Sequence, residues 1–141
     1  MDIQYRENIL TADDYVSFQR KMGWPEDPKA QIEKSLANTL HSIVAMQGDE
    51  IVGMGRLLGD AAIYWYMNDV FIRTAYQGQG IGTEIVKRLV AYVKANSLPG
   101  TSVSLYLFCA QGKEGFYERL RFRCRPHEYE GAGMELEIDI G

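Results

Sequence analysis

Asp69-Val70-Phe71-Ile72-Arg73-Thr74-Ala75-Tyr76-Gln77-Gly78-Gln79-Gly80-Ile81-Gly82-Thr83 carries an apolar strand into three glycines at alternate positions and then into a helix. Upstream, residues 63–72 are rich in aromatic and β-branched side chains and too apolar to leave one face in water. They read as a central strand. Downstream, Ile81, Ile85, Leu89 and Val93 fall at steps of four with Val86 and Val90 beside them, while Glu84, Lys87, Arg88 and Lys94 project elsewhere. This spacing predicts an amphipathic helix over 82–96 whose apolar stripe packs on the sheet. Glycine lets the backbone take positive φ and approach a ligand closely, and the first turn of a helix offers unpaired N–H groups with a partial positive charge. The direct implication is a phosphate site; the other reading is that the glycines only permit a tight turn from strand to helix.

Working outward, Ile3 and Tyr5, followed by Ile9 and Leu10, suggest a short first strand. Thr11-Ala12-Asp13-Asp14 then has the form of a capping box, opening a helix that runs to Met22 and stops at Gly23-Trp24-Pro25. Ala30, Ile32, Leu36, Ala37 and Leu40 predict a second helix over 27–40. Residues 41–46 and 50–58 are β-prone runs separated by Gln47-Gly48-Asp49, a turn that closes a hairpin. Beyond the glycine loop, 102–109 reads as another buried strand, 114–120 as a short helix, and 122–125 and 134–138 as final strands. The order is β-α-α-β-β-β-α-β-α-β-β. This is an α/β (α+β) fold with a mixed, mostly antiparallel sheet of about six to seven strands and helices on both faces. Its one strand-helix-strand unit lies between residues 63 and 109, and ligands of open sheets bind beyond the carboxyl ends of strands.

The 141 residues fit one domain over 1–141, and 46% hydrophobic with 24% charged residues excludes a disordered or low-complexity chain. A net charge of −4 argues against nucleic acid as a partner. The two cysteines, Cys109 and Cys124, with His41 and His127 give neither a disulfide framework nor a zinc spacing, so no metal is expected. No apolar run approaches the ~20 residues of a membrane span. The N-terminus has no signal-peptide pattern, and the cytoplasm is the compartment expected.

Two familiar nucleotide signatures fail on the loop. A P-loop needs lysine ahead of Thr83, where Gly82 stands. The dinucleotide fingerprint needs glycine where Thr83 stands and an acid ~20 residues on, and residues 95–104 contain none. The remaining pattern, Gln77-x-x-Gly80-x-Gly82 after an apolar strand and before an amphipathic helix, resembles the acetyl-coenzyme A signature of the GNAT superfamily of N-acetyltransferases. Ser104-Leu105-Tyr106-Leu107-Phe108-Cys109-Ala110 and then Phe116-Tyr117-Glu118-Arg119-Leu120-Arg121-Phe122 resemble that family's next strand and helix. Thr74 stands where proline is common, and Arg121 where the family has glycine. If that glycine takes positive φ, Arg121 does so at a cost or the helix ends differently.

The resemblance implies transfer of an acetyl group from acetyl-coenzyme A to a primary amine of a small molecule or peptide by direct attack in a ternary complex. The alternative is a non-catalytic coenzyme A-binding module of the same fold. Backbone amides from Gln77 through Gly78, Gln79, Gly80, Ile81 and Gly82 to Thr83 would bind the pyrophosphate. The pantetheine arm would pair with Val70, Phe71 and Ile72 between two splayed parallel strands, where an N–H also offers an oxyanion donor. Tyr117 is the general-acid candidate, Phe116 lines the cofactor, and Lys113 is favoured over Arg73, Lys87 and Arg88 for the 3′-phosphate. For the base, Asp69 is a candidate, since a carboxylate on a central strand is otherwise costly; equally, it is a hydrogen-bonding partner for the splayed strands. Tyr66 and Asn68 offer a water relay. Glu26, Asp27 and Glu33 either recognise a cationic amine or form solvated helix faces. Cys109 reads as a small strand residue rather than a nucleophile, and the final strands offer edges for a homodimer.

Overall fold

The computed structural model describes residues 2–141. The chain forms two compact units, one ending at Leu107 and the other spanning Phe108–Gly141. The first unit holds strands β1 (Ile3–Glu7), β2 (His41–Gln47), β3 (Glu50–Gly59), β4 (Tyr64–Ile72) and β5 (Ser104–Tyr106), with helices α1 (Ala12–Met22), α2 (Lys29–Ala37) and α3 (Ile81–Asn96). The second holds α4 (Glu114–Arg119). The strands form one sheet in the order β1-β2-β3-β4-β5, antiparallel except for the parallel pair β4 and β5.

Local chemistry fixes the helix ends. Thr11 Oγ1 accepts from the Asp14 N–H at 3.1 Å and the Asp14 carboxylate accepts from the Thr11 N–H at 3.2 Å, the reciprocal box expected at the start of α1. Gly23, at φ 76°, ends that helix in the left-handed conformation. Side chains alternate across β3. Met54 faces α1, in a buried cluster with Phe18 and Val44, to which Tyr15, Trp24 and Phe71 add their rings. Gly53 and Gly55 face α3, whose Ile81, Ile85, Val86, Leu89 and Val93 are buried. Helices therefore cover both faces of the sheet.

The sheet has five strands among the described residues, not six or seven. Residues 102–109 pair only over Ser104–Tyr106, and neither 122–125 nor 134–138 forms a strand. Met134, Leu136 and Ile138 do alternate with acids, but all three are 71% exposed or more. Alternation alone does not hold a strand; a hydrogen-bonded partner edge does.

Gly53 and Gly55 set the depth at which α3 lies. A Cβ on Gly55 would stand 2.8 Å from Ile85 Cγ2 and 2.9 Å from Leu89 Cδ1. Gly55→Ala is therefore expected to destabilise the fold by about 1–3 kcal/mol through overpacking. An unchanged midpoint of urea unfolding would contradict this seating of α3.

Candidate functional site

β4 is paired unequally on its two edges. On the β3 side, pairing runs from Gly59–Trp65 to Gly53–Ile72. On the β5 side it stops at Tyr66–Tyr106, so residues 67–72 have no strand partner there among the described residues. The β3 ladder slips between Met54 and Arg56, where Asp69 takes φ 55° and acts as a bulge. The slip switches which side chains face which layer. Trp65 lies against Tyr92 of α3, but beyond the bulge Phe71, also odd-numbered, packs edge-on to Trp24 at 4.6 Å, on the α1 face. The Arg73 N–H donates to the Val52 carbonyl at 2.8 Å, so by alternation the backbone groups of Val70 and Ile72 point to the open edge.

Asp69 sits in a polar knot on the α1 face. Its Oδ2 accepts from Arg56 Nη1 at 2.9 Å and from the Tyr15 hydroxyl at 2.9 Å. Burial and the Asp69 carboxylate push the Tyr15 phenol well above its ordinary range, so it remains a donor. Arg56 and Tyr15 escaped the sequence reading. The available signal was a single cation in the apolar run of β3 and a single acid in that of β4, since isolated opposite charges on adjacent strands imply a pair.

Past β4, Thr74–Tyr76 make one 3-10 turn and Gln77 Nε2 donates to the Ile72 carbonyl at 3.0 Å, tying the loop to the strand end. Gly78 and Gly80 take φ 78° and 84° with nothing within 4 Å of a would-be Cβ, so it is backbone conformation that demands glycine there. Gly80 caps α3 without a side chain, and its carbonyl accepts from the Glu84 N–H at 3.1 Å. The N–H groups of Ile81, Gly82 and Thr83 are left without a capping partner among the described residues. Half a positive charge, roughly, accumulates at such an end. Ile81 contributes backbone only, its side chain being buried. Gln79 is exposed and Thr83 half-buried. The loop thus presents unpartnered N–H groups, and no neighbouring atom crowds Gly78 or Gly80.

Among the basic candidates, Arg73 is engaged by Glu50, and Arg88 by Glu84 at 2.9 Å and by the face of Tyr5. Lys87 and Lys113 are exposed and form no ion pair among the described residues. On the acceptor candidates, Glu26 is held by Arg20 at 2.8 Å and Asp27 by Gln19 at 2.8 Å, whereas Glu33 is exposed.

Lys113, Phe116 and Tyr117 belong to the second unit, with Lys113 capping α4. The half-buried Tyr117 ring meets the edges of Phe116 at 4.9 Å and Phe122 at 5.7 Å. Burial, with a smaller contribution from Cys109, pushes its phenol up to about 12, so it is protonated throughout the neutral range. Cys109 is exposed rather than inside a strand, and burial and Glu114 raise its thiol, which is not the environment of an activated nucleophile.

An uncapped helix start thus follows, through a glycine loop, a strand that has a parallel partner along only part of one edge. The sequence from residue 5 to 122 matches the model of the Acetyltransferase (GNAT) family, and the chain belongs to that family. It is 29% identical over 122 residues to a soybean protein named histone acetyltransferase TAP1, covering 79% of this chain and 51% of that one. It is 28% identical over 131 residues to GCN5-related N-acetyltransferase 2, chloroplastic, of Arabidopsis thaliana, covering 79% and 49%. The chain thus spans about half the length of these curated relatives. A Staphylococcus aureus probable acetyltransferase of solved structure superposes with a TM-score of 0.83 at 26% identity, covering 97% of this chain and all of that one.

The end of α4 answers the question Arg121 raised. Arg121 takes φ 73°, its N–H donates to the Glu118 carbonyl at 3.0 Å, and the Phe122 N–H reaches back to the Tyr117 carbonyl at 3.1 Å. This is a Schellman ending built on a residue with a Cβ. Arg121→Gly is expected to remove left-handed strain of about 1 kcal/mol and raise the melting temperature by a few degrees. A drop in melting temperature on scanning calorimetry would show that the Arg121 side chain makes a compensating contribution.

Proposed function

We propose that this protein transfers acetyl from acetyl-coenzyme A to a primary amine of a small molecule or peptide. The observation that carries the reading is the adjacency of an uncapped α3 start and the open edge of β4. One site binds a diphosphate and the other an extended amide-bearing arm, and the thioester donor contains both in sequence. In this reading the N–H groups of residues 78–83 hold the pyrophosphate, and the backbone of Val70 and Ile72 pairs with the arm and orients the thioester carbonyl. Acetyl-coenzyme A supplies the activated acyl group; the chain supplies placement and donors. The soybean relative's name, histone acetyltransferase, supports including peptides among the acceptors.

Tyr117 serves here as the proton donor to the departing sulfur. A phenol held at about 12 is a weak acid. It therefore donates a hydrogen bond first and yields its proton only as negative charge develops on sulfur. Tyr117→Phe is expected to lower kcat about a hundredfold, with KM for acetyl-coenzyme A little changed. Because Tyr117 stays protonated to about 12, no alkaline loss of rate between pH 7 and 10 should be traceable to it.

The test is thiol release from acetyl-coenzyme A with amines, polyamines and lysine peptides, alongside the melting temperature with coenzyme A added. Acceptor-dependent thiol release supports the reading. Thermal stabilisation by coenzyme A with no turnover for any acceptor would make the chain a binding module instead. Gly80→Ala should weaken coenzyme A binding roughly tenfold, because α3 cannot begin as it does without strain at that residue.

A further inference from the structure

We infer that Arg56 is the positioning residue of the acyl-donor site, selecting through Asp69 which backbone amides β4 offers at its open edge. The inference rests on the donor-binding reading of that edge. Arg56 is only 4% exposed, and its donors reach three segments: Nη1 to Asp69 Oδ2 at 2.9 Å, Nη2 to Ser35 Oγ at 2.8 Å, and Nε to Thr39 Oγ1 at 3.2 Å. A guanidinium so placed demands an anion, because burying an unpaired charge is far more costly than burying a paired one. Among the described residues Asp69 is the acid that meets it.

Asp69 reaches Arg56 from a left-handed residue at the point where the ladder slips. Aspartate tolerates that conformation better than most residues, but it does not adopt it without cause. The Arg56 and Tyr15 contacts provide the cause, drawing the carboxylate to the α1 face. Because a one-residue slip exchanges the two sides of a strand, the bulge determines that Val70 and Ile72, rather than Asp69 and Phe71, point their backbone to the open edge. Arg56 thus acts on an incoming ligand without touching it. Asp69 on this account holds the strand and is not the base.

The test compares Arg56→Gln, Arg56→Lys and Asp69→Asn with the wild type at a temperature where urea titration shows each variant folded. Arg56→Gln is expected to raise the dissociation constant of coenzyme A and KM for acetyl-coenzyme A about tenfold or more, with saturating kcat within about threefold. Arg56→Lys should recover part of that loss, since it keeps the charge without the planar fork. A folded Arg56→Gln variant with wild-type coenzyme A affinity overturns the proposal, because a purely structural role lowers the urea midpoint and leaves affinity alone. Asp69→Asn, which keeps the size and the left-handed tolerance, covers the case in which Arg56→Gln does not fold. If Asp69→Asn abolishes kcat and removes the acidic limb of the pH profile at unchanged coenzyme A affinity, Asp69 is the base and the proposal fails. Amide exchange gives a readout independent of the donor: in the wild type Val70 and Ile72 should exchange faster than Phe71 and Arg73, and the variants should lose that alternation. Should wild-type protein bind no coenzyme A, the donor reading fails by itself, and persistence of the alternation in the folded variants would overturn the role of Arg56.

Discussion

A carboxylate held by a buried guanidinium, at a residue with left-handed backbone, sits where β4 slips against β3. On the β3 side the strand remains paired to Ile72 across the slip; on the β5 side pairing ends six residues earlier, at Tyr66. An interior strand normally satisfies both rows of backbone groups, because an unpaired amide away from water loses the worth of a hydrogen bond. Here one row is left open beside a core that includes Trp65 and Met67. Such a row suits a ligand that itself has amides in extended conformation, and it begins where the pairing with β5 ends.

The proposed anion site depends on the same strand. β4 leads through one short turn to Gly80, and α3 can start there only because β3 presents Gly53 and Gly55 to its buried stripe. Larger residues on β3 would lift the helix and with it the N–H groups at its start. Packing and ligand geometry are therefore linked: the apolar contacts of Ile81, Ile85 and Leu89, each worth about 1.5–3 kcal/mol on full burial, set where the positive end of the helix dipole points. Gln77 adds a polar tie by bonding the Ile72 carbonyl, so that loop and open edge keep a fixed separation.

Features decided within a few residues were legible in the sequence. The Thr11 capping box, the stop at Gly23, the hairpin across Gln47-Gly48-Asp49 and the stripe of α3 all depend on near neighbours, and each lies where its pattern placed it. The glycine loop was legible for the same reason. Features decided by a distant partner were not. Residues 102–109 look like one buried strand, yet pairing lasts only over Ser104–Tyr106, because the length of a ladder belongs to both strands. The alternation of Met134, Leu136 and Ile138 specified a face but could not supply an edge to pair with. Arg56 reads as an ordinary strand cation until the register sets Asn68 opposite it and the bulge turns Asp69 toward it.

Tyr117, the proposed proton donor, lies on an aromatic helix of only six residues. So short a helix has little stability of its own, since most of its backbone groups lie in end turns. Its closure depends on the two bonds at Glu118 and Tyr117, which require the next residue to be left-handed. That closure swings Phe122 back against the Tyr117 ring, while Phe116 covers another edge. The resulting burial raises the phenol, and the raised phenol stays a donor at every physiological pH. A weaker acid loses driving force for full proton transfer to sulfur but keeps its protonation state under all working conditions. In the proposed transfer constancy of the donor outweighs its strength, because Tyr117 gives sulfur a hydrogen bond first and its proton only as charge develops there.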